Sequence, residues 1–137
     1  MKIFASPFRR SALAGVCLLA AGIASAQFAM PPMRGDGAAR YLCGGIGSDE
    51  STAFRAAMKE HPLALLFARA DGAYEANVEV SIHDDRGTTA LRWNANSPVC
   101  LVDLPPGRYV VNAELGGNRK QQGVTVGGGS KSLDFRF

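Results

Sequence analysis

From Leu63 onward, apolar residues recur at every second position in segments of five to nine residues, and clusters of turn-forming residues close each segment. A period of two belongs to a strand with one face in a core and the other in water. Leu63, Leu65 and Phe67 share one face of the first segment, which Asp71-Gly72 breaks. Val78, Val80 and Ile82 alternate with Asn77, Glu79, Ser81 and His83, and Asp84-Asp85-Arg86-Gly87 makes a turn. Thr88 to Trp93 forms a third segment and "NANSP" interrupts it. Val99 to Leu104 is then apolar on both faces apart from Asp103, which suits a central strand. Tyr109, Val111, Ala113 and Leu115 line one face of the fifth segment, and Gly116-Gly117-Asn118 turns the chain into Lys120 to Val126. After Gly127-Gly128-Gly129, Leu133, Phe135 and Phe137 alternate with Asp134 and Arg136. Seven strands result, and the pattern predicts an all-β fold, a seven-stranded Greek-key β-sandwich over residues 63–137, preceded by one short α-helix.

"DLPPGRYVV", residues 103–111, is the stiffest point of that pattern. Pro105 and Pro106 cannot donate ladder hydrogen bonds, so they lie outside the sheet. Pro106-Gly107 suits a type II turn, with proline setting the first φ and glycine accepting the positive one. The turn places a sharp corner between two strands. Tyr109 puts its ring in the core behind that corner, and its hydroxyl needs a partner, for which the backbone near the corner is the natural choice.

Ahead of the sandwich the chain changes character twice. Lys2, Arg9 and Arg10 precede an apolar stretch from Ser11 to Ile23 that ends in Ala24-Ser25-Ala26, the pattern of a secretory signal peptide, residues 1–26, cleaved after Ala26. The apolar run is shorter than the ~20 residues a membrane-crossing helix needs. Gln27 to Arg40 holds Pro31-Pro32 and no sustained period, and residues 27–47 read as a flexible segment. Within 48–62, Ser48 can cap a helix over Asp49 to Glu60, with Asp49 and Glu50 beside the positive end of its dipole and Pro62 as its stop. Phe54, Ala57 and Met58 fall at helical spacing.

Charge and cysteine content bound the function. Three of the fifteen Lys and Arg lie in residues 1–26 and all twelve Asp and Glu lie beyond them, so the part after Ala26 carries no net charge and no basic footprint for nucleic acid. Cys43 and Cys100 remain there, an even pair in a chain bound for an oxidising compartment, which suggests a disulfide; two buried free thiols are the alternative. Closing that loop would stabilise the fold by about 4 kcal/mol. His61 and His83 show no metal-ligand spacing with either cysteine, and no metal or cofactor is expected.

Candidate chemistry is sparse. Gly44-Gly45-Ile46-Gly47 precedes a helix as a phosphate-binding loop does, but no Lys-Ser or Lys-Thr follows, and Asp49-Glu50 would repel an anion. Asp84-Asp85 reads as a tight polar turn rather than a calcium site. No Gly-x-Ser-x-Gly elbow and no other catalytic constellation is present. Trp93, with Tyr74 and Asn94 or Asn96 nearby in sequence, is the one candidate platform for a sugar ring, set against the commoner role of a lone tryptophan in a core. Phe137 at the C-terminus reads as a core residue of the last strand rather than the signature of a membrane barrel, whose strands are longer.

"LVDLPPGRYVVNAELGGNRKQQGVTVGGG" resembles the carboxypeptidase regulatory-like domains, also described as transthyretin-like or prealbumin-like sandwiches. In those a strand ends in Leu-Pro-x-Gly-x-Tyr-x-Val, and a hairpin and a Val-x-Val strand follow. The matching positions here are Leu104, Pro105, Gly107, Tyr109 and Val111, then Val124 and Val126, and the resemblance covers roughly residues 63–137. The chain is also similar to small proteobacterial envelope proteins with a "GGIG" and a helix ahead of the sandwich. These are turn and core positions, so the resemblance implies a scaffold and no activity. The hydrolase branch of the transthyretin-like family ends in Tyr-Arg-Gly-Ser, whereas this chain ends in "LDFRF". The expectation is therefore a non-enzymatic periplasmic or secreted module that contacts a periplasmic or outer-membrane protein, with a carbohydrate-binding module as the alternative.

Overall fold

The computed structural model describes residues 28–137 together with Gly15 and Gly22, so the expected signal peptide lies outside the described residues. In chain order the elements are β1 (Arg40–Gly44), α1 (Ser48–Ala57) with a following 3-10 turn (Met58–Glu60), β2 (Leu63–Ala68), β3 (Val78–Asp84), β4 (Thr89–Ala95), β5 (Val99–Asp103), β6 (Gly107–Leu115), β7 (Asn118–Val126) and β8 (Lys131–Arg136). They form two four-stranded sheets, ordered β1-β5-β2-β8 and β4-β3-β6-β7. Neighbouring strands run antiparallel except β2 and β8, which are parallel. The fold is an all-β sandwich with one short helix.

The main core lies between the sheets. Leu65 and Phe67 of β2, Cys100 and Val102 of β5 and Phe135 of β8 meet Val80 and Ile82 of β3, Trp93 of β4 and Tyr109 and Val111 of β6. Each of these points inward from its strand, and burying one large apolar side chain contributes about 1.5–3 kcal/mol. β5 lies between β1 and β2, the central place that its two apolar faces require.

Eight strands stand where the alternation predicts seven. The additional one, β1, lies in the segment expected to be flexible, and it pairs with β5 from Arg40↔Asp103 to Gly44↔Val99. Its signal is hidden because both of its faces are covered. Tyr41 and Cys43 pack against the main core, while Leu42 joins a second cluster on the outer side of the same sheet with Phe54, Ala57, Ala64, Val99 and Leu101. A five-residue strand buried on both sides shows no polar alternation to read.

The second cluster is where α1 docks, so the molecule has three layers: helix, first sheet, second sheet. Phe54 and Ala57 are the buried residues of α1. The helix begins at Ser48 itself; Gly47 holds the N-cap position at φ 86°, with no side-chain cap, in place of the Ser48 cap expected. Glu50 compensates by turning its Oε1 back to accept the Gly45 N–H at 3.0 Å. The α-helix ends at Ala57, and the remaining turn to Glu60 tightens to 3-10 before Pro62.

Two turns differ in how they use glycine. Gly116 and Gly117, at φ 55° and 80°, make the two-residue hairpin between β6 and β7, with the paired positive φ values of a type I′ turn. The Pro105-Pro106 corner does not follow the type II expectation: Gly107 lacks a positive φ and opens β6, paired with Val126. Across from the corner, Gly127, at φ 112° in the connection from β7 to β8, leaves room for Pro106: a Cβ there would approach the Pro106 ring to 3.1 Å.

Gly44 allows the helix to sit close. A Cβ on Gly44 would overlap the Phe54 ring. Gly44→Val is expected to lower stability by about 1–3 kcal/mol through overpacking, read as a shift of the urea midpoint with loss of helical circular dichroism.

Candidate functional site

The residues singled out at the corner assemble as a structural unit. Leu104 is buried, Pro105 and Pro106 are exposed, and Val111 lies in the core. The Tyr109 ring is buried and its hydroxyl donates to the Pro105 carbonyl at 2.7 Å, which ties the start of β6 to the loop before it. Burial, joined by the negative charges of Asp84 and Asp85, holds the Tyr109 phenol above its ordinary pKa. Asp84 itself is a turn residue: its Oδ1 accepts the N–H groups of Arg86 and Thr88.

Cys43 and Cys100 form a disulfide across β1 and β5, where they stand directly opposite in register. Trp93 covers it from the second sheet. The indole is 6% exposed, donates Nε1–H to Cys43 Sγ at 3.2 Å and stacks on Tyr41 at 4.5 Å between centroids. Trp93 is thus a core residue that joins the two sheets at one side of the sandwich. Asn94 and Asn96 line a small cavity with Tyr41 and Cys43, not with Tyr74. Trp93 and Tyr74 do not share a platform.

Tyr74 belongs to a different surface. It is 52% exposed in the loop between β2 and β3, with the Arg55 guanidinium 5.3 Å from its ring centre. Beside it stands Ile46, 62% exposed, in the loop between β1 and α1. These two line a groove of about 280 Å³ with Gly45, Gly47, Ala76 and Pro98. The groove is firmly built: Gly45 is held by Glu50 and packs against Val99, Tyr74 bridges to Ala68, and Glu75 is bound by Arg69. Sequence reasoning missed Ile46, an isolated aliphatic residue between two glycines that fits neither the strand nor the helix period.

The outer face of the second sheet is open and carries two depressions. Glu79, Ser81, Arg92, Asn112, Glu114 and Arg119 line a depression of about 220 Å³ there, and Arg108, Val110, Gly123 and Thr125 help line another of about 420 Å³. Several of these groups satisfy one another, Asn94 with Glu79 at 2.6 Å and Arg119 with Glu114 at 3.5 Å. The smaller depression thus has the composition of a solvated sheet face, while Tyr109, Val110 and Val124 make the larger one more apolar.

The two histidines are apart. His61 Nδ1 lies 2.7 Å from Asp103 Oδ1, a pairing that links the end of the 3-10 turn to the end of β5 and that sequence spacing did not suggest. His83 lies between the hydroxyls of Ser81 and Thr89. Among the described residues, no three His, Cys, Asp or Glu gather as metal ligands, and no helix is long and apolar enough to cross a membrane.

No protein-family model matches the chain, and no curated protein matches it either.

Tyr109→Phe removes the corner hydrogen bond and is expected to cost about 0.5–1.5 kcal/mol at neutral pH. Because folding raises the phenol pKa, the contribution of Tyr109 is fully present below its unfolded pKa of about 10 and is lost as pH rises through the folded value. Denaturant titrations across that alkaline range should show a shallower fall in stability for Tyr109→Phe than for the parent.

Proposed function

We propose that the chain is an exported, non-enzymatic binding module of the carboxypeptidase regulatory-like or transthyretin-like kind, a Greek-key sandwich that contacts a periplasmic or outer-membrane protein through the pole formed by Ile46 and Tyr74. The observation that carries this reading is the exposure of two large apolar side chains on one groove, on loops tied down by the Gly45–Glu50 hydrogen bond and the Tyr74–Ala68 bridge. Exposed apolar surface of that kind opposes solubility and contributes nothing to the core, and it favours contact with another protein. The Pro105–Tyr109 corner supports the family reading, since Leu104, Val111 and Val126 are buried and the Tyr109 hydroxyl anchors on the Pro105 carbonyl. The disulfide accords with an oxidising compartment.

A carbohydrate platform at Trp93 has less support. The indole faces are taken up by core contacts, and the Asn94–Asn96 cavity, about 170 Å³, is smaller than the ~300 Å³ at which small-molecule sites begin.

Ile46→Asp and Tyr74→Ala are surface changes and should leave the melting temperature within a few degrees of the parent. Each is expected to weaken capture of a specific envelope protein about tenfold or more, whereas Arg92→Ala on the polar sheet face should leave capture intact. Equal capture by all three variants would defeat the assignment of the pole.

A further inference from the structure

Residues 28–39 return along the outer edge of β1, where Arg34 and Tyr41 form an antiparallel bridge with two backbone hydrogen bonds of 2.8 Å. That bridge turns the N–H and C=O of Tyr41 away from β5, and strand alternation turns those of Cys43 the same way. The bridged cysteines accordingly stand 4.0 Å apart at Cα, the closeness of a non-hydrogen-bonded pair. Continued from Arg34, antiparallel pairing would set Pro32 opposite Cys43, but proline has no N–H to donate and the pairing stops. What remains is a cavity of about 170 Å³ walled by Pro31, Arg34, Tyr41 and Cys43 and, from the facing sheet, by Asn94 and Asn96. Of the two cysteines, Cys43 is half-buried and lines this opening, while Cys100 is 0% exposed.

We propose that this opening is a thiol-exchange site at which an incoming thiolate attacks Cys43 Sγ and not Cys100. Arg34, which makes no ion pair among the described residues, supplies positive charge beside the entry and favours the thiolate over the thiol. The Trp93 N–H draws electron density from the sulfur under attack. The Cys43–Cys100 bond breaks, Cys100 leaves with the electron pair and takes up the proton the incoming thiol has lost, and a new disulfide joins Cys43 to the incomer. One equivalent of a monothiol leaves this mixed disulfide, which a second can resolve only by a further intermolecular exchange. A dithiol continues: its second sulfur attacks its own half of the mixed disulfide, releases Cys43 as a thiol and closes into a cyclic disulfide. The protein then gains the two electrons and two protons that the dithiol loses. β1 keeps its ladder to β5 and the burial of Leu42 beneath α1, so the opening is local and the sandwich persists.

The test exposes the folded, oxidised protein to glutathione or to dithiothreitol without denaturant, traps free thiols with an alkylating agent and locates each product by mass spectrometry. Expected are a glutathione adduct on Cys43 with Cys100 alkylated, full reduction by dithiothreitol, and rates proportional to thiolate concentration. Arg34→Glu should slow the anionic glutathione about tenfold and the uncharged dithiothreitol less. Pro32→Thr, which restores an N–H opposite Cys43, should slow both; if that variant fails to fold, Arg34→Glu and the adduct position decide. An adduct on Cys100, or a rate that stops rising with thiol concentration at the rate of global unfolding, overturns the proposal.

Discussion

β5 has apolar side chains on both of its faces, and that requirement organises the molecule. Cys100 and Val102 point toward the second sheet, and Val99 and Leu101 point the other way. A strand of this kind is stable only if a layer covers each side, because leaving either face in water forfeits the burial that offsets the entropy of ordering the chain. The second sheet covers one side. The other is covered by α1, a ten-residue helix too short to persist alone in water and held by Phe54 and Ala57 against Ala64, Val99 and Leu101. β1 then completes the sheet beside β5, and the disulfide fixes it at Cys43 and Cys100, which stand opposite in register.

The two sides of the sandwich are closed by different means. At one, Trp93 reaches from β4 to the Cys43 sulfur and Tyr41, so a single large side chain joins edge strands of both sheets. At the other, Gln122 of β7 donates to the Asp134 carbonyl of β8, a lighter polar link. The heavier closure lies next to the loops that present Ile46 and Tyr74. They are anchored to the core: Gly45 lies close to Val99, and Tyr74 is bridged to Ala68, so the pole is continuous with β5 and β2. A surface held in this way loses little conformational entropy on meeting a partner.

Strands β2 to β8 were legible because each alternates and is bounded by glycine, proline or aspartate, and their ends fell within about two residues of the expected positions. The Tyr109 hydroxyl was legible too, since a buried phenol needs an acceptor and the proline corner supplies one four residues upstream. β1 was not. Its five residues are covered by a helix on one face and a sheet on the other, and neither partner is near enough in sequence to imprint a period. The type II turn does not form because the local preference of Pro-Gly is weak beside the pairing of Gly107 with Val126. Of the candidate site, Tyr74 was named, though with the wrong companion. Ile46 became visible only when two loops separated by nearly thirty residues met.

The sequence by itself determined the order of β2 to β8 along the chain, the corner at Pro105 and Pro106, the side of most of those strands that enters the core, and the presence of two cysteines to pair. Those follow from local periodicity and from residues whose backbone or covalent chemistry leaves few options. Tertiary structure decided that Trp93 faces inward, that the helix docks on the sheet, that Pro32 leaves an opening over Cys43, and that Ile46 and Tyr74 share a surface. Each of these depends on which distant segments come into contact, and the free energy of such contacts resides in the pair, so neither partner alone encodes it.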